Sequence, residues 1–501
     1  MTSINNASGR GRSAVSCPVQ GQSGSPRVVI GISIEVLITE NASDSQLRSL
    51  TCRMARGMVA WPMPHAPVPS SPLRQILVLA APTSLIAAIQ ACAQIAETIL
   101  AARQGTAALA GWAVVLPFAL LMQQMSTGAM GGGVVAAIAR ALGAGKPQEA
   151  SALVLHALLI GLGFGLGFML LMAGFAEPIL TAVGGAVVAA AATPYAVMLF
   201  GLGAVPAWMA NTLASILRGG GQHGLAARTM VWAWVLYPLF AWVLAEPAGL
   251  GLPGVALAFG LVFLAATLSM GWRVATGGAG FMPHWRVGVQ AMLFGRILKV
   301  GLIACLLATM ANLTTILVTS QLAPWGTTAV AAYGIAARLE FLMVPLSFGI
   351  GSALTALVGR AVGAGDWARA RTLAWAGGGL ALVAAGSVGI AVGLFPGAVA
   401  RAFTGDAAVV AIAATVLAIT GPALGGFGLG MAMYFACQGA GRMMGPVLAA
   451  CCRIGLAVGG GWVLAEPLGM GLTGHFWGVA AGITAYGVVT AASVRRGIWG
   501  G

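Results

Sequence analysis

The sequence predicts an all-α integral membrane protein of twelve transmembrane helices, built as two parallel repeats of six. Three observations carry this expectation. Of 501 residues, 59% are hydrophobic and only 7% charged, whereas soluble domains carry about 25% charged residues. From Leu73 onward, apolar stretches alternate with short Gly, Pro or charged breaks, and about 20 apolar residues are what a helix needs to cross a hydrocarbon core of about 30 Å. The third observation is a repeat: "VLAEPAGLGLPG" from Val243 to Gly254 returns as "VLAEPLGMGLTG" from Val463 to Gly474, 220 residues further on.

Residues 1–72 differ in kind from the rest. They are rich in Ser, Gly, Arg and Pro and end in "WPMPHAPVPSSP", a composition that cannot bury a core. The expectation is a disordered leader, or an over-extended start with the functional chain beginning at Met54, Met58 or Met63. The one apolar run, at 28–38, is too short to span, is interrupted by Glu35, and lacks the cleavage site of a signal peptide.

The expected spans of an N-terminal lobe (73–280) are 74–102, 107–139, 149–174, 187–217, 225–245 and 253–274. Those of a C-terminal lobe (281–501) are 290–321, 327–359, 368–395, 407–437, 443–464 and 473–494. The same 220-residue offset relates "RALGAG" at 140–145 to "RAVGAG" at 360–365, and "RGGGQ" at 218–222 to "QGAGR" at 438–442. Six is an even number, so both copies enter the membrane from the same side, related by an axis along its normal. The repeated "VLAEP" turn then follows the fifth helix of each copy.

Charge gives the orientation. One set of loops collects Arg140, Lys146, Arg218, Arg228, Arg273, Arg286, Arg296, Lys299, Arg360, Arg369, Arg371, Arg442, Arg495 and Arg496, while the opposite set offers Arg103 and Arg401. The positive-inside rule places the first set and both termini in the cytoplasm of a cell (inner) membrane protein. The net charge of +14 is mostly this topology signal. The basic residues sit singly between apolar runs, so no nucleic-acid partner is expected.

Acids are scarce enough to assign by elimination: the chain has eleven. Glu35, Glu40 and Asp44 are in the leader; Glu149 and Asp366 open the third and ninth helices, where an acid suits an N-terminus; Glu177, Glu246, Asp406 and Glu466 belong to external turns. Glu97 and Glu340 remain inside spans, where an acid costs at least ~2.5 kcal/mol on insertion scales and is a functional candidate. Glu97, in "AQIAETILAARQG", lies about 9 Å inside the external turn at 1.5 Å per residue. There it can bind a proton or cation reversibly; the competing reading is an acid that snorkels to the interface. Glu340 lies mid-span with Arg338 two positions away. Residues two apart do not share a helix face, so a structural contact to a neighbouring helix weighs as much here as function.

Other chemistries find little support. "GAGKP" at 143–147 lacks the spacing and Ser/Thr of a P-loop, no HExxH or GxSxG occurs, and the seven cysteines form no CxxC. An ATP-driven pump or membrane hydrolase is therefore disfavoured, and the cysteines read as small buried hydrophobes. His156 reads as a hydrogen-bonded packing residue. Met122, Met125, Met343, Met431 and Met433, with Trp112, Trp208, Tyr333 and Tyr434, read mostly as core or lipid-facing, with some available to line a compliant cavity.

Two six-helix halves, "LAAPTSL" and "ETILAARQGTAALAG" in and after the first helix, "RALGAGKPQEA" after the second and "LRGGGQ" after the fourth together resemble the multidrug and toxic compound extrusion (MATE) family. The resemblance covers 73–496 and rests on order and spacing. It implies a helix-kinking proline at Pro82 and a coupling-ion carboxylate at Glu97, where the family usually has Asp. It also implies polar support from Asn211 and Ser215 on the fourth span. The seventh helix, "ANLTTIL", has no acid, which with Glu340 and Arg338 as a second-lobe site leans toward the DinF-like branch.

The expected function is a secondary antiporter, not an enzyme, that exports organic cationic or amphipathic compounds by rocking two lobes around a central cavity, in exchange for H⁺ or Na⁺. No cofactor is expected, nor any metal beyond Na⁺ at Glu97 should that be the coupling ion; the partners are the small organic substrates and membrane lipids, and the chain is expected to be a monomer. The alternatives are a lipid-linked oligosaccharide flippase, which should line its cavity with several cations where only Arg338 and Arg453 qualify, and a non-transporting scaffold or membrane-embedded enzyme.

Overall fold

The computed structural model describes residues 71–495 and Trp499, all helix and turn. The leader's residues 1–70, the alternative starts at Met54, Met58 and Met63, and Arg496 lie outside the described residues. Among the described residues, ten helices are long and apolar enough to cross a membrane. In the first half these are α1 (Pro72–Arg103), α2 (Thr106–Gly143), α3 (Pro147–Gly174), α4 (Ala176–Gly219), α5 (His223–Ala245) and α6 (Gly251–Ala275). The second half supplies α7 (Ala291–Trp325), α8 (Thr327–Gly363), α9 (Trp367–Leu394) and, after the helices named next, α13 (Met444–Ala465).

The other two expected spans also fold as helices, with physical reasons for standing apart. The tenth is a pair, α11 (Ala407–Thr420) and α12 (Leu424–Ala440), bent by 53°. Pro422 sits in the break, and proline removes the N–H that would continue the ladder. The twelfth, α14 (Leu472–Ala492), is long enough but less apolar, because His475, Thr484, Tyr486 and Thr490 interrupt it. A short helix, α10 (Pro396–Phe403), precedes the pair. Its counterpart in the first half is the start of α4, which breaks at Gly185 (φ 78°).

The repeated turn has the same geometry twice. The N–H of Leu250 meets the carbonyl of Leu244 at 3.1 Å, and that of Met470 meets Leu464 at 3.1 Å. Gly249 and Gly251 have φ of 70° and 59°; Gly469 and Gly471 have 66° and 59°. Only glycine enters this left-handed region cheaply, so the two copies of the motif preserve a backbone requirement.

Helix caps follow the acids. Asp366 Oδ1 accepts from Arg369 N at 2.9 Å and opens α9; Asp406 Oδ1 accepts from Ala408 N at 2.9 Å and opens α11. Glu149 lies in the first turn of α3 and pairs with Arg296 of α7. Buried His156 is fully used: Nδ1 bonds the carbonyl of Ala152 and Nε2 accepts from Gln290 N, both at 2.9 Å. It is the packing residue expected. The five cysteines among the described residues are unpaired thiols.

The largest apolar core lies mostly in the first half but takes in Tyr434, Phe435 and Met443, another lies in the second half, and α7 passes from one to the other. Its Leu293, Ile297, Val300 and Ala304 pack into the core of the first half, while Val318 and Leu322 join that of the second. Close approach relies on small residues, as in membrane bundles generally. A Cβ on Gly133 of α2 would stand 2.9 Å from the carbonyl oxygen of Ile297.

Candidate functional site

Glu97 stands near the end of α1 remote from the basic loops, half-buried. Two aromatic donors reach its Oε1: Trp112 Nε1 of α2 at 2.9 Å and the Tyr195 hydroxyl of α4 at 2.8 Å. Tyr237, from α5, also stands beside the carboxyl. Trp112, Tyr195 and Tyr237 are all buried, 7%, 2% and 1% exposed, while Glu97 as a residue is half-buried. An acid has been placed in an apolar helix bundle and given two donors from two other helices, with a tyrosine of a third alongside. Such a group can exchange a proton or cation with an aqueous cleft and feel the positions of four helices as it does so.

Pro82 lies fifteen residues before Glu97, inside α1. Its ring removes the hydrogen bond to the carbonyl of Val78, a weak point in the helix that carries the carboxylate.

Asn211 and Ser215 are not at this site. Asn211 Nδ2 donates to Ser126 Oγ at 2.8 Å and to Gln123 Oε1 at 3.1 Å. Ser215 Oγ donates to the carbonyl of Asn211 at 2.8 Å and accepts from Arg218 Nη2 at 2.8 Å. Sixteen residues of α4 separate Asn211 from Tyr195, roughly 24 Å at 1.5 Å per residue. The expected support of Glu97 by these two residues is corrected: they belong to a cluster at the basic end. Depth would have shown this in the sequence, because Trp112 lies as far from the outer turn as Glu97 does, whereas Asn211 lies near the opposite end of its helix. The aromatic cage was not read from the sequence, where Trp112 passed as core.

In the second half, Glu340 of α8 pairs with Arg453 of α13, and not with Arg338, which is exposed. Arg453 is 8% exposed, and its guanidinium stands 5.6 Å from the Phe427 ring centre and 5.8 Å from that of Tyr486. Glu340 and Arg338 therefore do not form one site. The carboxylate is matched by a cation that the sequence holds 113 positions away.

At the basic end the two halves close on each other reciprocally. Arg140 Nη1 of α2 donates to the carbonyl of Gly439 at 2.8 Å, at the end of α12; Arg360 Nη2 of α8 donates to the carbonyl of Gly220 at 2.6 Å, just past the end of α4. Each arginine thus caps the carbonyl end of a helix in the opposite half, where a cation also suits the helix dipole. Beside them Gly143 packs on the backbone of Arg360, and Gly363 on that of Arg140, where no Cβ would fit. Gln438 Nε2 donates to the carbonyls of Gly128 and Ala129 at 3.2 and 3.1 Å. These belong to a π-helical segment, Met125–Met130, whose wide turn frees carbonyls for an outside donor. At the 220-residue mate of Gln438, Arg218 stands 5.7 Å from the ring of Phe348, itself the mate of Gly128. Two of the three motifs that repeat in the sequence, those at 140–145/360–365 and 218–222/438–442, are the ones that meet across the halves.

No group of three or more His, Cys, Asp or Glu that could hold a metal occurs among the described residues. Around Glu97 the polar groups are mostly hydrogen-bond donors, and Trp112 can only donate.

The MatE family model matches the chain twice, over residues 82–243 and 302–463, segments that begin 220 residues apart and together cover well over half of it. No curated protein matches the sequence. Among solved structures, a MOP superfamily transporter from Pyrococcus furiosus, described as having a binding pocket of reverse polarity that suggests a different function, superposes with a TM-score of 0.79 at 22% identity, covering 85% of this chain and 96% of that one. The Vibrio cholerae MATE transporter VcmN in its bent form gives 0.78 at 22% identity, with the same coverage of 85% and 96%. An outward-facing multidrug resistance MATE family transporter also gives 0.78 at 22% identity, covering 85% and 96%. At this identity the likeness speaks for the fold.

Proposed function

The chain belongs to the MatE family, whose members are transporters and not enzymes, and on that premise we propose that it is a secondary antiporter exporting organic cationic or amphipathic compounds in exchange for protons. The observation that carries this is the half-buried Glu97, an acid inside a span whose carboxyl accepts from Trp112 and Tyr195, with Tyr237 beside it. A proton needs one oxygen. Na⁺ needs several oxygen ligands, and the fixed N–H of Trp112 turns a hydrogen toward the place such an ion would occupy. The donor-rich cage therefore favours H⁺ over Na⁺. Linkage then requires that protonation disfavour the substrate-loaded state.

The basic end would face the cytoplasm of the cell membrane, with both termini on that side, and the chain would act as a monomer. The joined basic end then corresponds to an outward-open state, and export proceeds by releasing that end and closing the other. The lack of an acid in "ANLTTIL" on α7 favours the DinF-like branch. An oligosaccharide flippase, which needs several cations in its cavity, fits less well, because Arg453 is occupied by Glu340 and of the two candidates only Arg338 is left.

The test is transport of a fluorescent organic cation in proteoliposomes under an imposed gradient of pH or of Na⁺, one at a time. The proposal expects accumulation driven by the pH gradient alone. Accumulation driven by Na⁺ at uniform pH would overturn the proton assignment, and no movement under either gradient would overturn the antiporter.

A further inference from the structure

A small cavity of about 10 Å³ lies toward the basic end, where the two halves meet. Thr127 and Arg218 line it from the first half; Phe348, Ser352, Thr355 and Gln438 line it from the second. That is room for a single water or an ion of similar size. No acidic side chain lines it among the described residues.

Arg218 is 3% exposed; its Nη2 donates to Ser215 Oγ at 2.8 Å, and its Nε is buried without a hydrogen-bond partner. The ion pairs among the described residues are Arg103–Glu246, Arg296–Glu149 and Arg453–Glu340. None takes in Arg218, nor Arg140 or Arg360, which donate to carbonyls at the same end. A charge removed from water without an opposite charge is costly. Arg453, also buried, is given a carboxylate; Arg218 is not. Across the cavity the hydroxyl of Ser352 is likewise buried without a partner, so each half offers one unused donor. Thr355 is already engaged, donating to the carbonyls of Gly351 and Phe435 at 3.1 and 3.0 Å. Gln438 Oε1, an acceptor, is unpartnered too. A water would satisfy all three atoms and leave the charge unmatched; an anion is drawn by a whole guanidinium charge and opposed by one amide dipole.

We propose that this cavity binds a small monovalent anion, a halide such as chloride, between Arg218 of the first half and Ser352 of the second. The ion supplies the counter-charge that no carboxylate provides. Because its two donors come from opposite halves, it ties them together and favours the joined basic end. The binding does not depend on which ion drives transport at Glu97, so either reading can fail without the other.

The experiment heats the full chain in detergent, in mixtures of sodium chloride and sodium gluconate at constant total sodium, and follows the unfolding midpoint. The midpoint should rise with the logarithm of chloride once the site begins to fill, as for any ligand of the folded state, and bromide should substitute for chloride. Arg218→Met removes the charge and should abolish the response. Ser352→Ala removes one hydrogen bond to a charged group and should weaken chloride about tenfold; it serves if Arg218→Met does not fold. Arg228→Gln removes an exposed charge from the same end and should leave the response intact. Equal midpoints in chloride and gluconate, a full response in Arg218→Met or in Ser352→Ala, or equal loss in Arg228→Gln would overturn the site. Crystals grown in bromide should show an anomalous peak between Arg218 and Ser352; density there without one would mean a water only and overturn the anion.

Discussion

Glu97 and Glu340 are both acids inside spans, yet their surroundings assign them opposite work. Glu97 meets only neutral donors, so its charge is available to a proton. Glu97→Gln keeps the size and cannot ionise; it should reach the membrane at normal levels and lose gradient-driven efflux, whereas Glu97→Asp should retain much of it. Full efflux by Glu97→Gln at matched protein levels would remove this residue from the coupling. Glu340 is already neutralised by Arg453. Removing one partner of a buried pair strands the other, typically at a cost of about 3–5 kcal/mol, while replacing both is often neutral. Glu340→Gln should therefore lower thermal stability markedly, and adding Arg453→Met should recover most of it. Equal stability of wild type and Glu340→Gln would show that the pair is not structural. Counting acids sufficed to find both residues in the sequence. Their partners were illegible because Tyr195 and Arg453 lie 98 and 113 positions from the acids they meet, and nothing local marks a Tyr or an Arg in a span as a partner.

The helices themselves were legible, because each needs only a long apolar run to satisfy its backbone in lipid. Departures from regular helix were not. The π-helical Met125–Met130 answers to Gln438 from the other half, and the π-helical Gly455–Gly460 begins two residues after Arg453. Such distortions are fixed by tertiary partners that a hydropathy reading does not contain. The repeated turn was legible, since its glycines are required by its own backbone. If both copies lie on the outer face, single cysteines replacing Ala248 and Leu468, both exposed, should each react with an impermeant thiol reagent from the periplasmic side at similar rates. Labelling of one alone, or only from inside, would break the parallel repeat.

For the molecule as a whole, the question is what holds one end shut. Of the reciprocal arginines Arg140 is half-buried and Arg360 exposed, and each donates to a carbonyl of the opposite half, so each contributes a charge-assisted hydrogen bond of about 1.5–3 kcal/mol at most. That is the scale of a reversible gate. Arg140→Gln/Arg360→Gln should shift the population toward the opposite state. A cysteine at Ser352, which lines the small interlobe cavity and is 5% exposed, should then react faster with a reagent supplied from the cytoplasmic side. An unchanged rate would mean that the helix packing around Gly143 and Gly363 alone closes this end. The duplication was legible as text, but its meaning was not: a 220-residue offset says that the halves are alike and is silent on whether like parts touch.

They do touch, and this bears on ancestry. Each half contributes one arginine and one receiving turn, so a single half carries both parts of an isologous contact, the kind through which two identical subunits form a closed dimer. A primordial six-helix chain could have closed on its own copy through the same motif before the two were joined into one gene. The present chain has moved away from that self-sufficiency at two pairs of equivalent positions: Gln438 stands where the first half has Arg218, and Phe348 where it has Gly128. Those mismatches allow one half to recognise the other in preference to itself. If that contact suffices without the linker at 276–290, the two halves expressed as separate polypeptides should co-purify from one membrane, and failure to do so would show that the covalent join is needed.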